Sequence, residues 1–530
     1  GGQLPKFILK YRETGDINYI ETAKNWCQYM IGIFGKGNFY LEMQPSNNAE
    51  QVYVNKTLLK LSEELDIPYI ITTDAHYLSK EDANIHEKYL NSQDGDREVK
   101  SFYETTYMMD TKEIESFFSY FDKSQLWRAY DNINHIVETC EEFSIKRPLR
   151  IPELPWLEYN HDINNLEFYL TKMPTLRKFQ TSNRHADREM VYAIIDGIHR
   201  HKDLQNDAAY KALEECLDMT WVSSEINNAS WSAYCLNLQK IIEECWNSGT
   251  IVGPARGSGG GFILLYCLDI IQMNALREKT TMYPWRFLNP QRVSPLDVDF
   301  DISGLKRGST LEHLRKVYGQ DRVCNVLTLR TEKSKSAILT AARGLGMSPE
   351  EGQYLSSLVG AERGQLYTLK QMYYGDEENG LAPSSTFVNE MNAHPELWQI
   401  AQSIEGLICG SGIHAGGVIF VDEPFTNSTA LMRAPSGETM TQFDLHDAED
   451  TGLIKYDVLS IEALDKIHNC LDLFCDYGYV EREATLKDTY EKVVGIYNIE
   501  RDAPEMWKMC WEHKVSSLFQ MEKQSGISGI

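Results

Sequence analysis

The sequence predicts an α/β protein built from several domains. At roughly 150 residues per domain, its 530 residues suggest three or four structural units. With 42% hydrophobic and 24% charged residues, the chain has enough apolar side chains to fill several packed interiors. Near the start, strand-like and helix-like segments alternate, which is typical of parallel strands joined by helices. A globular multidomain fold is therefore expected.

The first segment has a strand, helix, strand rhythm. Residues 38–43 alternate like a strand, residues 54–65 have helical spacing, and residues 69–72 form a short apolar run directly after Pro68. The second strand leads into 73–76, and ligands often bind just past the carboxyl ends of parallel strands.

The next segments predict a connector and then helices. The proline-rich stretch 146–155 lacks periodicity and is typical of an extended connector, so we place a domain boundary there. Helical patterns dominate from 164 to 245, and Gly249 provides a helix stop.

Charge and composition limit the function classes. The net charge of −25 excludes a uniformly basic surface, yet residues 251–345 contain 14 Lys and Arg against 8 Asp and Glu. This local excess fits either a polyanion-binding track or a solvated face of mixed charge. The apolar run 262–271 is too short to span a membrane, and no secretory signal is visible. Eleven cysteines without a CxxC pair predict free thiols, so we expect a cytosolic protein.

A glycine-rich segment follows a short apolar strand. Residues 251–261 read IVGPARGSGGG and precede the apolar run 262–271, which we expect to be a helix. Backbone N–H groups at such a turn can cradle phosphate oxygens, because glycines leave them unobstructed. Glycines in such turns also serve close packing alone, and the loop lacks the pattern GxxxxGK[ST].

An acidic strand is predicted about 40 residues later. Asp297, Asp299 and Asp301 alternate with apolar residues, so on a strand the three carboxylates share one face. A divalent cation such as Mg²⁺ would relieve their repulsion. The alternatives are a solvent-facing acidic edge strand and a Ca²⁺ loop, but the spacing does not fit an EF-hand.

A second strand, residues 451–460, carries Lys455 and Asp457 on one face. Two metal ions that promote phosphoryl transfer need carboxylates from neighbouring strands, and Asp457 would supply one. Taken singly, Lys455 and Asp457 would form an ordinary surface ion pair.

Several motifs together resemble one known family. The chain is similar to the C-family replicative DNA polymerases, the bacterial DNA polymerase III alpha subunits. A phage-type, split or partial version of such a polymerase is among the forms that the resemblance allows. The motifs occur in family order and lie at residues 253–258, 286–294, 297–301, 412–417, 441–444 and 453–457.

The resemblance implies a multidomain α/β architecture: a polymerase-beta-like palm with a helical thumb, preceded by part of a PHP (polymerase and histidinol phosphatase) domain of β/α type. It places the C-terminal part of the PHP domain at 1–148, the palm at 149–331 and 413–462, the thumb at 332–412, and the start of the fingers at 463–530.

The resemblance also assigns site residues. The catalytic and Mg²⁺-binding set of a two-metal palm site is Asp297, Asp299 and Asp457, with Asp301 as a supporting carboxylate. The substrate-binding set, which includes a nucleotide-phosphate loop, is Arg256, Gly257, Ser258, Arg286, Arg292 and Lys455. The basic residues that open the thumb are Arg330, Lys333, Lys335 and Arg343. His414 is expected to be structural, and 519–522 resembles a fingers motif with Lys523 where Ser is usual.

In the PHP-like segment, Asp74, His76 and His86 match positions near the family's metal cluster. The opening His-x-His ligands of that domain are not in this chain. A Zn²⁺ or Mn²⁺ phosphoesterase centre is therefore not expected. We expect these three residues to have a structural role instead.

The leading hypothesis is DNA-directed DNA polymerisation in replication, a metal-dependent nucleotidyl transfer from dNTP to a primer 3′-hydroxyl. The expected partners are primer-template DNA, dNTP, a separate chain carrying the fingers, a sliding clamp and other replisome proteins, in bacterial or phage-infected cytoplasm and without a membrane. The alternatives are a polymerase fragment that binds DNA or a partner chain without turnover alone, and a PHP-type phosphoesterase.

Overall fold

The computed structural model describes residues 2–94, 103–140, 143–280, 282–289, 298–362, 365–499, 503–516 and 518–529. It divides into two compact units. Unit 1 comprises 1–144 and 331–409, and unit 2 comprises 145–330 and 410–530. Helices and strands are both abundant, so the predicted α/β class is confirmed.

The helices of the described residues are α1 (Gln3–Thr14), α2 (Ile17–Phe34), α3 (Ala49–Leu65), α4 (Ala83–Asp94), α5 (Thr111–Phe117), α6 (Lys123–Cys140), α7 (Leu166–Lys172), α8 (Leu176–Gln180), α9 (His185–Arg200), α10 (Asp207–Asn227), α11 (Trp231–Asn247), α12 (Ile263–Cys267), α13 (Arg307–Tyr318), α14 (Ser334–Gly344), α15 (Pro349–Ser357), α16 (Leu369–Tyr374), α17 (Ser385–Ala393), α18 (Pro395–Ile404), α19 (Leu445–Asp450), α20 (Glu462–Asp476), α21 (Leu486–Val494), α22 (Pro504–Trp511) and α23 (Gln524–Gly529). The strands are β1 (Leu41–Met43), β2 (Tyr69–Ile71), β3 (Asp299–Ser303), β4 (Val323–Thr331), β5 (Ala361–Glu362), β6 (Gln365–Leu366), β7 (Ile408–Phe420), β8 (Leu431–Arg433), β9 (Thr439–Thr441) and β10 (Lys455–Ile461).

Unit 1 contains the predicted strand, helix, strand motif. β1 and β2 pair in parallel with Leu41 opposite Tyr69, and α3 connects them. The Asn48 side chain caps α3 by accepting a hydrogen bond from the backbone of Glu50. Apolar residues of α1, α2, α3 and α6 pack around the two strands. The βαβ prediction is confirmed, and both strands are shorter than the alternation in the sequence predicts.

A second core of unit 1 is wholly helical. α14 packs against α15, α18 and α4, and the buried residues of this cluster include Ile338, Phe387 and Ile400. α4 and α14 approach closely at Gly344, where a Cβ would lie 2.2 Å from the carbonyl oxygen of Lys88. Glycine is required there because any side chain would collide with the neighbouring backbone.

Unit 2 contains a six-stranded mixed sheet in the order β3, β10, β7, β4, β9, β8. β10 runs parallel to β3 and antiparallel to β7, while β9 is parallel to β4 and antiparallel to β8. Val252 forms a bridge with Ile302, so the segment before the glycine-rich loop lies beside β3. The predicted strands near 299 and 455 are both confirmed.

Helices α9, α10 and α11 form the main core of unit 2 together with the sheet. Trp231 and Tyr234 on α11 are wholly buried, and the Tyr234 ring stacks on Tyr456 of β10 with centroids 5.1 Å apart. The predicted helical stretch from 164 to 245 is confirmed, as is the extended connector that precedes it.

The expected helix over 262–271 is wrong in length, because only α12 is helical there. Asp269 adopts a left-handed backbone conformation at φ 55°, and its carboxylate contacts Arg200 at 2.9 Å and His201 at 2.8 Å. These tertiary contacts, an ion pair with Arg200 and a hydrogen bond with His201, fix a turn where the apolar run alone predicts more helix. All eleven cysteines are free, as predicted. Among the described residues, no helix is long and apolar enough to cross a membrane.

Candidate functional site

Two predicted carboxylates lie opposite each other on neighbouring strands of unit 2. Asp299 on β3 is the register partner of Asp457 on β10, and the strands are parallel. Neighbouring strands lie about 4.8 Å apart and paired positions point to the same face of a sheet. The sheet thus brings Asp299 and Asp457 to one place. Asp297 and Arg292 lie outside the described residues.

Asp457 is the more buried member of this acidic pair. Its side chain is 5% exposed, and one oxygen, Oδ2, contacts the ammonium group of Lys455 on the same strand. The other oxygen, Oδ1, is buried and has no hydrogen-bond partner among the described residues. A buried carboxylate oxygen without a donor is costly unless a cation or water reaches it. Asp457 therefore fits a metal ligand.

Asp301 differs from the other two carboxylates because Arg256 engages it. The guanidinium Nη1 donates to Asp301 Oδ1 at 2.7 Å, and the Asp301 side chain is 8% exposed. Arg256 Nε also lies 3.8 Å from Asp299 Oδ2. The alternative of a solvent-facing acidic edge strand does not hold for Asp301, because this side chain is buried and paired.

The glycine-rich loop combines both roles weighed for it. Residues Gly257–Gly261 form a short 3-10 helix in which Gly257 and Ser258 are exposed, and Gly257 has a positive φ of 60°. The remaining three glycines are buried, and a Cβ at Gly260 would lie 2.5 Å from the Met273 methyl group. Only the first two positions are therefore accessible to a ligand, while the rest of the loop serves close packing.

Strand β7 supports the acidic pair from the other side. Gly417 is the register partner of Asp457, and a Cβ at Gly416 would lie 2.5 Å from Leu459 Cδ2 and 3.6 Å from Asp457 Oδ1. His414 Nδ1 accepts backbone hydrogen bonds from Gly416 at 3.3 Å and from Gly417 at 2.8 Å. These contacts agree with the structural role expected of His414.

The other predicted cations are dispersed. Arg286 ends a short 3-10 helix, Pro284–Arg286, and is exposed. Of the basic residues expected to open the thumb, Lys333 precedes α14 and Arg343 lies in its last turn, and both are exposed. Exposed lysines and arginines suit contacts to phosphates, which carry no sequence information.

Asp74, His76 and His86 come together in unit 1. His76 Nδ1 lies 2.6 Å from the carbonyl oxygen of Asp74, and the His76 and His86 rings are 5.8 Å apart, with Tyr103 packed against both. Burial, and then the neighbouring His76, lower the pKa of His86 below its usual value. Within the described ranges, no group of three or more His, Cys, Asp or Glu side chains is arranged to hold a metal ion.

One neighbour of the site was not assigned from the sequence. The ring of Phe519 lies 5.9 Å from the Arg256 guanidinium, within reach of a cation–π contact. Phe519 begins the segment that resembles a fingers motif, and that resemblance is the only sequence signal that could have suggested it. The arrangement as a whole is an acidic pair beside a glycine-rich loop, with Arg256 and Lys455 in contact with its carboxylates.

Comparison with known proteins relates the sequence of this chain to the DNA polymerases. Residues 198–460 match the family model described as the bacterial DNA polymerase III alpha NTPase domain. The chain is 36% identical over 542 residues to the probable DNA polymerase YorL of Bacillus subtilis (strain 168) and, equally, to the DNA-directed DNA polymerase of Bacillus phage SPbeta; each match covers 99% of this chain and 41% of the relative. It is 26% identical over 541 residues to the DNA polymerase III subunit alpha of Aquifex aeolicus (strain VF5), covering 96% of this chain and 42% of the relative.

These relatives are DNA polymerases. The matched part of the chain is similar to the DNA polymerase III alpha family, and the chain as a whole is similar to phage-type DNA polymerases. It spans about two fifths of the length of the curated relatives that it matches. Polymerases of this family use divalent metal ions, in agreement with the chemistry of the acidic pair.

Proposed function

We propose that the chain carries the catalytic centre of a DNA-directed DNA polymerase that transfers a nucleotide from dNTP to a primer 3′-hydroxyl during replication. The observation that supports this most directly is the register of β3 and β10, which places Asp299 opposite Asp457. Oδ1 of Asp457 is buried and has no partner among the described residues. This favours a role as ligand of a divalent ion over a purely structural ion pair with Lys455.

In this proposal, Asp297, Asp299 and Asp457 hold Mg²⁺ in a two-metal site, with Asp301 as a supporting carboxylate. The ion, when bound, lowers the pKa of the attacking hydroxyl and neutralises charge on the phosphoryl group. The exposed backbone N–H groups of the loop and the Ser258 hydroxyl bind the outgoing phosphates.

The remaining substrate contacts are proposed for basic side chains. Lys455 lies beside Asp457 and can meet phosphate charge as substrate enters. The family pattern adds Arg286, Arg292 and Arg256 to this set, and of these Arg256 already pairs with Asp301. Because the transition state carries charge on the phosphoryl oxygens, positioned cations stabilise it electrostatically.

We propose the following assignment of the two units. The mixed sheet of unit 2 supports a palm at 149–331 and 413–462, followed by the start of the fingers at 463–530. The helical core of unit 1 supports a thumb at 332–412, and its β1 and β2 pair supports a partial PHP domain at 1–148. Asp74 and His76 are given a structural role there, without Zn²⁺ or Mn²⁺ catalysis.

The proposed partners are primer-template DNA and dNTP, together with a sliding clamp and other replisome proteins. The proposed setting is the cytoplasm of a bacterial or phage-infected cell, because relatives come from Bacillus and its phage. A second candidate is DNA or partner-chain binding without turnover by this chain alone. It is supported by exposed cations such as Lys333 and Arg343, which can contact DNA phosphates without any reaction.

Primer extension with Mg²⁺ tests the proposal, using the chain alone and mixed with a separately expressed chain that carries the remaining polymerase segments of a relative. We expect Asp299→Asn to abolish extension while the circular dichroism spectrum is unchanged. Asp162→Asn, a change at an exposed carboxylate, is the matched control and should extend like the wild type. Extension that survives in Asp299→Asn would refute the assignment, whereas salt-sensitive DNA binding without extension in either mixture would favour the second candidate.

A further inference from the structure

Arg256 already has an acidic partner in this structure, although the family pattern suggests that it binds substrate phosphate. Its guanidinium donates to Asp301 Oδ1 at 2.7 Å. The Asp301 backbone is fixed too, since its carbonyl oxygen accepts a hydrogen bond from Gly253 at 2.8 Å. A Cβ at Gly253 would lie 3.0 Å from the Asp301 Cβ, so the two segments pack with no spare space.

Burial makes the pairing of Asp301 necessary. Its side chain is 8% exposed, and an unpaired buried carboxylate is strongly unfavourable. Asp301 also lies two positions from Asp299 on β3, so its negative charge would add to that of the acidic pair. Arg256 cancels this charge before any ligand arrives.

Two further contacts define the position of the guanidinium. Arg256 Nε lies 3.8 Å from Asp299 Oδ2, and the Phe519 ring is 5.9 Å away. Because Nη1 is already bonded to Asp301, a substrate phosphate could reach only the remaining N–H donors of this guanidinium. A phosphate bound by Arg256 would therefore share a guanidinium that already pairs with a buried carboxylate.

We propose that Arg256 is a positioning residue, which neutralises Asp301 and thereby sets the charge that a divalent ion meets at Asp299 and Asp457. This inference rests on the proposed function, because it assumes that the acidic pair holds the ion. It differs from a phosphate contact in one measurable respect. Arg256 controls metal affinity when neither nucleotide nor DNA is present.

The size of the effect follows from the contact distance. The separation of 3.8 Å between Arg256 and Asp299, extended by a metal–oxygen bond of about 2.1 Å, places the cation roughly 6 Å from a bound ion. A unit charge acting on a divalent ion at roughly 6 Å, with the full screening of water, changes the binding constant about tenfold.

The test is a charge cycle on the 530-residue chain, with Mn²⁺ as the probe and the electron paramagnetic resonance signal of free Mn²⁺ as the readout. Arg256→Gln removes the positive charge and should tighten binding about tenfold, while Asp301→Asn should weaken it about tenfold. The double variant restores the net charge and should bind within about threefold of the wild type. Arg256→Lys retains the charge and should also remain close to the wild type.

Two controls separate the possible outcomes. Arg177→Gln removes an equivalent charge from an exposed pair with Glu167 and should leave Mn²⁺ binding unchanged. Asp457→Asn should abolish site binding. If Asp457→Asn loses Mn²⁺ but Arg256→Gln binds like the wild type, the positioning role is refuted and the proposed function stands. If the wild type and Asp457→Asn bind Mn²⁺ equally, the metal centre and the positioning role are both refuted.

Discussion

Asn237 is a wholly buried amide that joins three segments of unit 2 through four hydrogen bonds. Its Nδ2 donates to the carbonyl oxygen of Pro152 at 2.8 Å and to the Tyr456 hydroxyl at 2.9 Å. Its Oδ1 accepts from the indole of Trp156 at 2.7 Å and from the backbone of Leu154 at 3.3 Å. Through these contacts α11 holds both the connector and the strand that carries Asp457. We expect Asn237→Ala to destabilise unit 2 strongly.

The magnitude depends on which partners can reach water after the change. Tyr456 and Pro152 are buried, and each would be left with an unpaired polar group at a cost of about 1–3 kcal/mol. Trp156 is only half-buried, and the bond to Leu154 is long, so these two contribute less. The expected loss in the free energy of unfolding is about 3–5 kcal/mol. Domains are typically stable by about 5–15 kcal/mol, so the change should be large.

Urea unfolding followed by tryptophan fluorescence measures this loss. Tyr456→Phe is a milder variant, because it removes one acceptor of Asn237 and leaves the bond to Pro152. The expected loss in the free energy of unfolding is about 1–2 kcal/mol. Asn227→Ala is the matched control, because among the described residues the side-chain amide of Asn227 donates only to Ser223 in its own helix. A loss of less than about 1 kcal/mol for Asn237→Ala would show that water satisfies the exposed partners, and the reasoning would fail.

Two further predictions concern pH and thiol chemistry. Burial alone would raise the pKa of Glu244, but the hydrogen bond from Lys240, the hydrogen bond from His313 and the charge of Lys240 together outweigh it and hold the pKa below its usual value near 4.5. Since the pKa of Glu244 is lower in the folded than in the unfolded chain, its stabilisation is complete above about pH 4.5 and is lost as the pH falls through the folded pKa. The urea midpoint of Glu244→Gln should therefore vary less with pH in that range than the midpoint of the wild type. A maleimide should label the exposed Cys140 and Cys470 within minutes, whereas Cys235, whose burial raises its pKa to about 12, should react only after unfolding; rapid labelling of Cys235, read by peptide mass spectrometry, would contradict the packing.

Local patterns in the sequence predicted the elements of the site but not their pairing. The alternation of carboxylates with apolar residues predicted a strand, and Asp299 lies on β3 as expected. The register that sets Asp299 opposite Asp457 joins positions far apart in the chain. Such pairing depends on the tertiary packing of the whole sheet, which periodicity does not record. The pairing of Arg256 with Asp301 was missed for the same reason.

The misplaced helix end at residue 267 shows the same limit. An apolar run favours continued helix, and local propensity contains no signal for the ion pairs that Asp269 makes. The arginine and histidine that fix this turn belong to the end of α9 and the residue after it, nearly 70 positions earlier. Long-range contacts of Asp269, which the local sequence does not record, therefore fix the turn that follows the helix.

The two faces of β10 have different roles, since one packs in the core and the other carries the charged residues of the site. Side chains alternate along a strand, so Tyr456 points into the core while Lys455 and Asp457 point to the opposite face. The core face is fixed by Asn237 and by ring stacking, and these contacts set the position of the strand. The other face carries Lys455 and Asp457, and Gly416 and Gly417 of the neighbouring strand β7 place no side chain beside them. Rigid packing on one face thus allows the carboxylates on the other face to remain in place when a ligand is absent, which is the preorganisation that the proposed phosphoryl transfer would require.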